Sequence, residues 1–236
     1  MPLPPGTRAV LTDIEGTTTP LSFVLDVLFP YARRRLDAAC ASGASGGEPR
    51  FAEALQRLRQ EYEEEPEETL PDFGNGAPYA HWLMDRDRKS TGLKILQGIL
   101  WEDGYQAGEL EGQVWPDVAE ALRTWKEHGI RTRIFSSGSV LAQKLLFGHS
   151  DQGDLLSYFE GFHDTTTGPK NNPASYTAIA GSFGLPPGEI LFLSDVTAEL
   201  DAARAAGLQT GLLLRPGNKP AEANGHPVYR SFSELV

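Results

Sequence analysis

From residue 115 onward the sequence alternates between stretches with a helical period and short apolar runs. No other feature limits the fold as much. Trp115-Pro116-Asp117 opens a helix running to His128, with Val118, Ala121, Leu122 and Trp125 on the buried stripe and Gly129 as its stop. Residues 131–135 then read as a strand, 139–147 as a helix and 159–162 as a short extended segment. A helix over 175–183, a fully buried strand over 190–193, a helix over 199–206 and a strand over 209–214 complete the series. Parallel strands need helical crossovers, so this order predicts a doubly wound, Rossmann-like α/β core with helices on both faces of a parallel sheet. Sites in such sheets lie beyond the carboxyl ends of the strands.

Residues 9–12 form one more buried strand, which ends in Asp13-Ile14-Glu15-Gly16-Thr17-Thr18-Thr19. The next strand signal comes only near Ile130. Between them, Leu21, Val24, Leu25, Leu28, Tyr31, Ala32 and Leu36 recur at helical spacing, and so do Phe51, Leu55, Leu58 and Tyr62. Residues 79–89 and 92–101 read as two further helices. Residues 42–49 form a Gly/Ser-rich loop, and 66–78 break the second helix. The acidic run 61–68 reads as a solvated face. The expected division is therefore a core of residues 1–19 and 113–236 interrupted, after its first strand, by a helical module of residues 20–112.

With 21 Lys and Arg against 32 Asp and Glu, the net charge of −11 argues against a nucleic-acid partner. A phosphorylated ligand would have to be drawn in by local positive charge, because the global field opposes it. One cysteine, Cys40, rules out an internal disulfide framework, which fits a reducing compartment. Flanked by alanines, Cys40 reads as a packing residue. Residues 1–6 carry no signal-peptide pattern, and apolar runs such as 190–193 are too short to span a membrane.

Four stretches carry chemistry, each just after a predicted strand. Side chains alternate along a strand, so Asp13 and Glu15 point the same way while that geometry persists. Two carboxylates there suit a nucleophile beside a general acid/base, and both can help to hold Mg²⁺. Gly16 permits a sharp turn, and the threonines follow where backbone N–H groups could cradle an oxyanion. Ser136-Ser137-Gly138-Ser139 opens a helix, which is either a phosphate site or an ordinary cap. Lys170, after Gly168-Pro169, is either a surface lysine or the compact cation such a site needs. Asp195, after Ile190-Leu191-Phe192-Leu193-Ser194, could complete an octahedral Mg²⁺ site or cap the next helix. Glu199 could support that site as a hydrogen-bond partner or serve as a first-turn helix acid.

The first stretch resembles the opening Asp-x-Asp-x-Thr motif of the haloacid dehalogenase superfamily, with Glu15 in place of the second Asp. Ser136, Lys170 and Asp195 match the later motifs in order. Asp13-Ile14-Glu15-Gly16-Thr17-Thr18 and the run from Ser136 to Ser150 resemble the enolase-phosphatase branch of methionine salvage in particular. The resemblance implies Asp13, Glu15 and Lys170 as catalytic residues, and Ser136, Ser137 and Lys170 as phosphate- or substrate-binding residues. It also implies one Mg²⁺ held by Asp13, the residue-15 carbonyl (Glu15) and Asp195. The helical module would be a cap closing over the site. The implied reaction enolises 2,3-diketo-5-methylthiopentyl-1-phosphate and then dephosphorylates it through an aspartyl phosphate to an acireductone. A monomeric cytoplasmic enzyme with no membrane or nucleic-acid partner is expected. The alternatives are a capped phosphatase or phosphomutase acting on another small phosphate ester, or a binding protein on an inactive scaffold.

Overall fold

The computed structural model describes residues 3–66 and 69–236, and its chain divides into two compact units. The first comprises Met1–Val24 and Glu111–Val236, the second Leu25–Leu110.

The first unit is built on one six-stranded sheet in which every pairing is parallel. Its strands are β1 (Ala9–Thr12), β2 (Arg131–Phe135), β3 (Gly161–His163), β4 (Ile190–Ser194), β5 (Gln209–Leu213) and β6 (Val228–Tyr229). Their spatial order is β3-β2-β1-β4-β5-β6, so the chain starts in the centre and winds outward to both edges. Alternate strand residues serve opposite faces. Ala9, Leu11, Ile190 and Phe192 share a cluster with Tyr176, Ile179 and Phe183, and with Leu200 and Ala203. Val10, Leu191 and Leu193, whose side chains alternate with these, are equally buried. A sheet buried on both faces explains the near-continuous apolar runs of its central strands.

The helices start where local chemistry stops the preceding loop. In the second unit, α1 (Phe29–Ala44) follows a π-helical turn, Phe23–Leu28; α2 (Pro49–Glu63) carries proline in its first turn, as does α3 (Ala77–Asp85). Ser90 caps α4 (Thr91–Gln106) by accepting from Leu93 N at 3.0 Å. These four helices enclose a core that includes Leu36, Cys40, Leu58, Leu83 and Leu96. Burial pushes the Cys40 thiol up to about 12, in keeping with a packing role.

The acidic run is not simply a solvated face. Glu61 accepts hydrogen bonds from the Ser90 hydroxyl and from Thr91 N at 2.9 Å, so it satisfies the open end of α4. Glu65 receives Arg88 at 2.8 and 2.9 Å. Glu63 and Glu64 are exposed as expected, and Glu67 and Glu68 lie outside the described residues.

Back in the first unit, α5 (Pro116–Glu127) buries the expected stripe and ends at Gly129, whose φ is +73°. Ser139 caps α6 (Val140–Gly148), and Asn172 with Pro173 starts α7 (Pro173–Phe183). The last helix is α8 (Thr197–Ala205), after which β5 leads into the Arg215–Pro220 segment. The sequence reading stopped at β5. It missed β6 and the 3₁₀ turn Phe232–Leu235, which are too short to show a period. Among the described residues, no helix is long and apolar enough to cross a membrane.

Candidate active site

The register of the central strands brings the chemical residues together. Thr12 sits opposite both Ile134 and Leu193, so β1, β2 and β4 end side by side. The next residues emerge at one edge: Asp13, whose N–H donates to Leu193 O at 2.9 Å, then Ser136 after β2 and Asp195 after β4. Lys170 comes from the loop between β3 and α7. Its backbone is held there by the Tyr176 hydroxyl, which donates to Lys170 O at 2.7 Å. A cleft of about 470 Å³ is lined by Asp13, Glu15, Ser137, Lys170, Asp195 and Glu199, together with Leu21, Val196, Thr197, Lys219, Pro220 and Ala221.

Lys170 is the electrostatic centre. It is 8% exposed, and its ammonium donates to Asp13 Oδ1 at 2.6 Å and pairs with Glu199 Oε2 at 2.7 Å. Burial works against its charge, but Asp13 and then Glu199 outweigh burial and raise its pKa. Of the two sequence readings of Lys170, a surface lysine is therefore excluded. Glu199 serves both of its alternatives: it stands in the first turn of α8, and it also bonds Lys170 and accepts from Ser194 Oγ at 3.0 Å.

One ammonium cannot balance the acids around it. Asp195 is pushed up to about 7, first by burial and then by Asp13, and Glu199 is pushed to about 7 by the same causes in the same order. Glu15 is also raised, by burial and then by Asp13. Such a surplus of buried and half-buried carboxylate invites a divalent cation. Among the described residues, no three Asp, Glu, His or Cys side chains form a metal-holding group. Two carboxylates with a backbone carbonyl and waters suit Mg²⁺, which dehydrates reluctantly and takes few protein ligands. The donor set of Asp13, Asp195 and the residue-15 carbonyl fits that description.

Asp195 does not cap α8. Val196 occupies the cap position without a side-chain bond, and Ser194 Oγ accepts from Val196 N instead. Ser136, fully buried, points its hydroxyl at the Glu15 carboxylate (3.2 Å to Oε2) and accepts from Gly138 N at 3.1 Å. Ser137, rather than Ser136, is among the cleft-lining residues. The start of α6 is already partly satisfied, because Ala142 N donates to Ser139 Oγ and Val140 N to Asp164 Oδ2, both at 3.3 Å.

Sequence reasoning missed the segment after β5. Arg215, 8% exposed, donates through Nε to Thr17 O at 3.1 Å and through Nη1 to Asp117 Oδ2 at 2.8 Å. Asn218 Nδ2 donates to Gly16 O at 2.8 Å. Lys219 and Pro220 reach the cleft itself. The available signal was positional: Arg215-Pro216-Gly217-Asn218-Lys219-Pro220 is a turn-rich string just beyond a strand, as the four recognised stretches are.

The model of the haloacid dehalogenase-like hydrolase family matches residues 7–207. A protein of Synechococcus elongatus named enolase-phosphatase E1 is 50% identical over 240 residues, covering 100% of both chains. One of the same name from Pseudomonas aeruginosa is 49% identical over 229 residues, covering 97% of this chain and 98% of that one. Among solved structures, the UTR4 protein of Saccharomyces cerevisiae superposes with a TM-score of 0.80 at 35% identity. That match covers 97% of this chain and 100% of the yeast one.

Proposed function

The chain belongs to the haloacid dehalogenase-like hydrolases, on their enolase-phosphatase branch, and from that membership we propose how its own residues divide the reaction. It is a phosphatase and enolase of methionine salvage. The substrate in this reading is 2,3-diketo-5-methylthiopentyl-1-phosphate. A proton is first transferred from the carbon beside a carbonyl to that carbonyl's oxygen, giving the enol phosphate. An Asp13 oxygen then attacks phosphorus while the bond from phosphorus to the ester oxygen breaks, and Glu15 gives its proton to that leaving oxygen. The acireductone departs and leaves an acyl phosphate on Asp13. Water attacks phosphorus next, Glu15 takes its proton, and inorganic phosphate is released with Asp13 restored.

Lys170, already paired with Asp13 and Glu199, keeps the nucleophile oriented and offsets charge on the transferring group. Ser136 holds the Glu15 carboxyl by a hydrogen bond, and Ser137 faces the substrate from the cleft wall. Asp13, the backbone carbonyl of Glu15 and Asp195 would hold one Mg²⁺, which when bound neutralises phosphoryl charge and polarises the substrate carbonyl. The Leu25–Leu110 unit takes the part of the cap, and the working form is a monomer in the cytoplasm.

The observation that carries this reading is the meeting of Asp13, Glu15, Lys170 and Asp195 in one cleft of a chain half identical, along its whole length, to enolase-phosphatases. The test is incubation with the diketo phosphate and Mg²⁺, following enol absorbance and phosphate release together. Wild-type protein is expected to give both signals, and Asp13→Asn to release no phosphate, since an amide is a poor nucleophile. Hydrolysis by Asp13→Asn at more than a few per cent of the wild-type rate would overturn the assignment. Phosphate release from other esters but not from the diketo phosphate would move the protein to a different capped phosphatase.

A further inference from the structure

The Arg215–Pro220 segment has no part in the reaction as described, yet two of its side chains grip the backbone just after Glu15. Asn218 Nδ2 holds Gly16 O at 2.8 Å, and Arg215 Nε holds Thr17 O at 3.1 Å. Because Nδ2 must donate to a carbonyl, the orientation of the Asn218 amide is settled, and Oδ1 faces the other way. That oxygen is buried and, among the described residues, accepts no hydrogen bond. A buried amide oxygen without a donor costs free energy, so a missing donor is expected.

Gly16 shows where the donor belongs. A Cβ built on Gly16 would lie 2.3 Å from Asp195 Oδ2 and 3.1 Å from Asn218 Oδ1. Asp195 and Asn218 therefore present oxygens to the same small space over Gly16, and that space exists because residue 16 has no side chain. A hard cation held by Asp195 keeps several waters, and each bound water has two protons to donate. A neutral acceptor beside Asp195 can take one of them without adding to the local surplus of carboxylate charge.

We propose that Asn218 is a positioning residue for the metal site: its Nδ2 fixes the Gly16 carbonyl, and its Oδ1 accepts a hydrogen bond from a metal-bound water beside Asp195. This rests on the Mg²⁺ reading given above. Residues that orient ligands from outside the coordination sphere change metal affinity by roughly 10- to 100-fold when removed. Arg215 anchors the segment from behind. Its guanidinium is buried and pairs with the half-buried Asp117, which also accepts from Ser231 Oγ at 2.8 Å and Phe232 N at 2.6 Å. The side chain that faces the site thus stands on a fixed base.

The test titrates Mn²⁺ into the full-length protein without substrate, reading free Mn²⁺ by electron paramagnetic resonance, with thermal melting alongside. Asn218→Ala removes both the donor and the acceptor, and is expected to weaken Mn²⁺ binding about 10-fold or more. Asn218→Asp keeps an acceptor oxygen beside Asp195 and loses the donor to Gly16 O. It is expected to bind Mn²⁺ at least as tightly as wild type while losing kcat, because the loop is no longer held. Unchanged Mn²⁺ affinity in Asn218→Ala would overturn the proposal. An equal loss in Asn218→Asp and Asn218→Ala would overturn the water-accepting role, since the donor alone would then account for both. Failure of wild-type protein to bind Mn²⁺ at all would overturn the metal reading itself, a result distinct from either of these.

Discussion

Gly16 and Gly129 are matched in backbone and opposite in surroundings, which makes Gly16→Ala an informative perturbation. Gly16 has φ +74° and Gly129 φ +73°, so an added Cβ at either meets the same intrinsic penalty of about 1–2 kcal/mol. Around Gly129, among the described residues, nothing lies within 4 Å of that Cβ, whereas at Gly16 it would stand 2.3 Å from Asp195 Oδ2 and 2.7 Å from Asp195 Cγ. Ordinary carbon contacts begin near 3.5 Å, so the Asp195 carboxylate or the Glu15–Thr17 backbone must move by about 1 Å. A misplacement of about 1 Å at reacting groups costs roughly 100-fold in rate. In a chain of this size a loss of 1 kcal/mol lowers Tm by about 2–4 °C. Gly129→Ala is thus expected to lower Tm by a few degrees with kcat/KM unchanged. Gly16→Ala is expected to lower Tm by at least as much and kcat/KM by about 100-fold or more. Phosphate release and differential scanning fluorimetry on the two variants provide the assay. Activity of Gly16→Ala within threefold of Gly129→Ala would refute the claim that the space over Gly16 belongs to the site.

Glu15→Gln cannot protonate the leaving oxygen but keeps its backbone carbonyl; it is expected to accumulate the absorbing enol phosphate while phosphate release falls by about 100-fold or more, read in the two-signal assay. The raised pKa of Asp195 and Glu199 means that the metal-free fold binds extra protons. The stability this contributes is fully present below the unfolded carboxyl pKa near 4 and is lost as pH rises through about 7. Mg²⁺ competes with those protons, so it should raise Tm more at pH 8 than at pH 5.5; an equal shift at both would contradict the site's charge balance. Glu61→Ala leaves the first N–H groups of α4 without their acceptor and should cost about 1–2 kcal/mol by chemical denaturation, whereas Glu64→Ala, at an exposed position, should cost less than about 0.5 kcal/mol.

Why some of this was legible and some was not follows from the range of the interactions. β1 and β4 are nearly continuous apolar runs because the sheet is covered on both faces there, and such runs stand out in a sequence, while β2 (Arg131–Phe135) alternates half-buried arginines with buried residues before its apolar end. Each ends where a polar residue can reach the edge of the sheet, so Asp13, Ser136 and Asp195 could be placed by position alone. Lys170 was harder, since a lysine after Gly-Pro looks like a surface residue. Its burial depends on Asp13, 157 positions away, and on Glu199. Glu61 and Glu65 looked like solvated charges because their partners, Ser90, Thr91 and Arg88, come from a different helix start and the loop before it. Asn218 and Arg215 lie 202 and 198 positions from the carbonyls they hold, and their string reads as an ordinary turn. No local period records a side chain bonded to a distant backbone carbonyl.

The way the acids are held bears on how the site can work. Asp13, Glu15, Asp195 and Glu199 are packed around one ammonium, an arrangement that burial alone would disfavour. The fold resists the repulsion by fixing the backbone on both sides of the cluster. Tyr176 holds the Lys170 carbonyl, while Asn218 and Arg215 hold those of Gly16 and Thr17. The Arg215 anchor runs on through Asp117 to Ser231 and Phe232, and the Trp125 indole then donates to Leu235 O at 3.1 Å. The C-terminal turn, with its Ser231–Glu234 capping box, therefore belongs to the support of the loop that follows β1. A site with a surplus of negative charge binds a cation and a phosphoryl group productively only if its carboxylates cannot relax apart when the cation is absent. Preorganisation of that kind needs backbone anchors rather than more charge, and the segment after β5 and the C-terminal turn supply them.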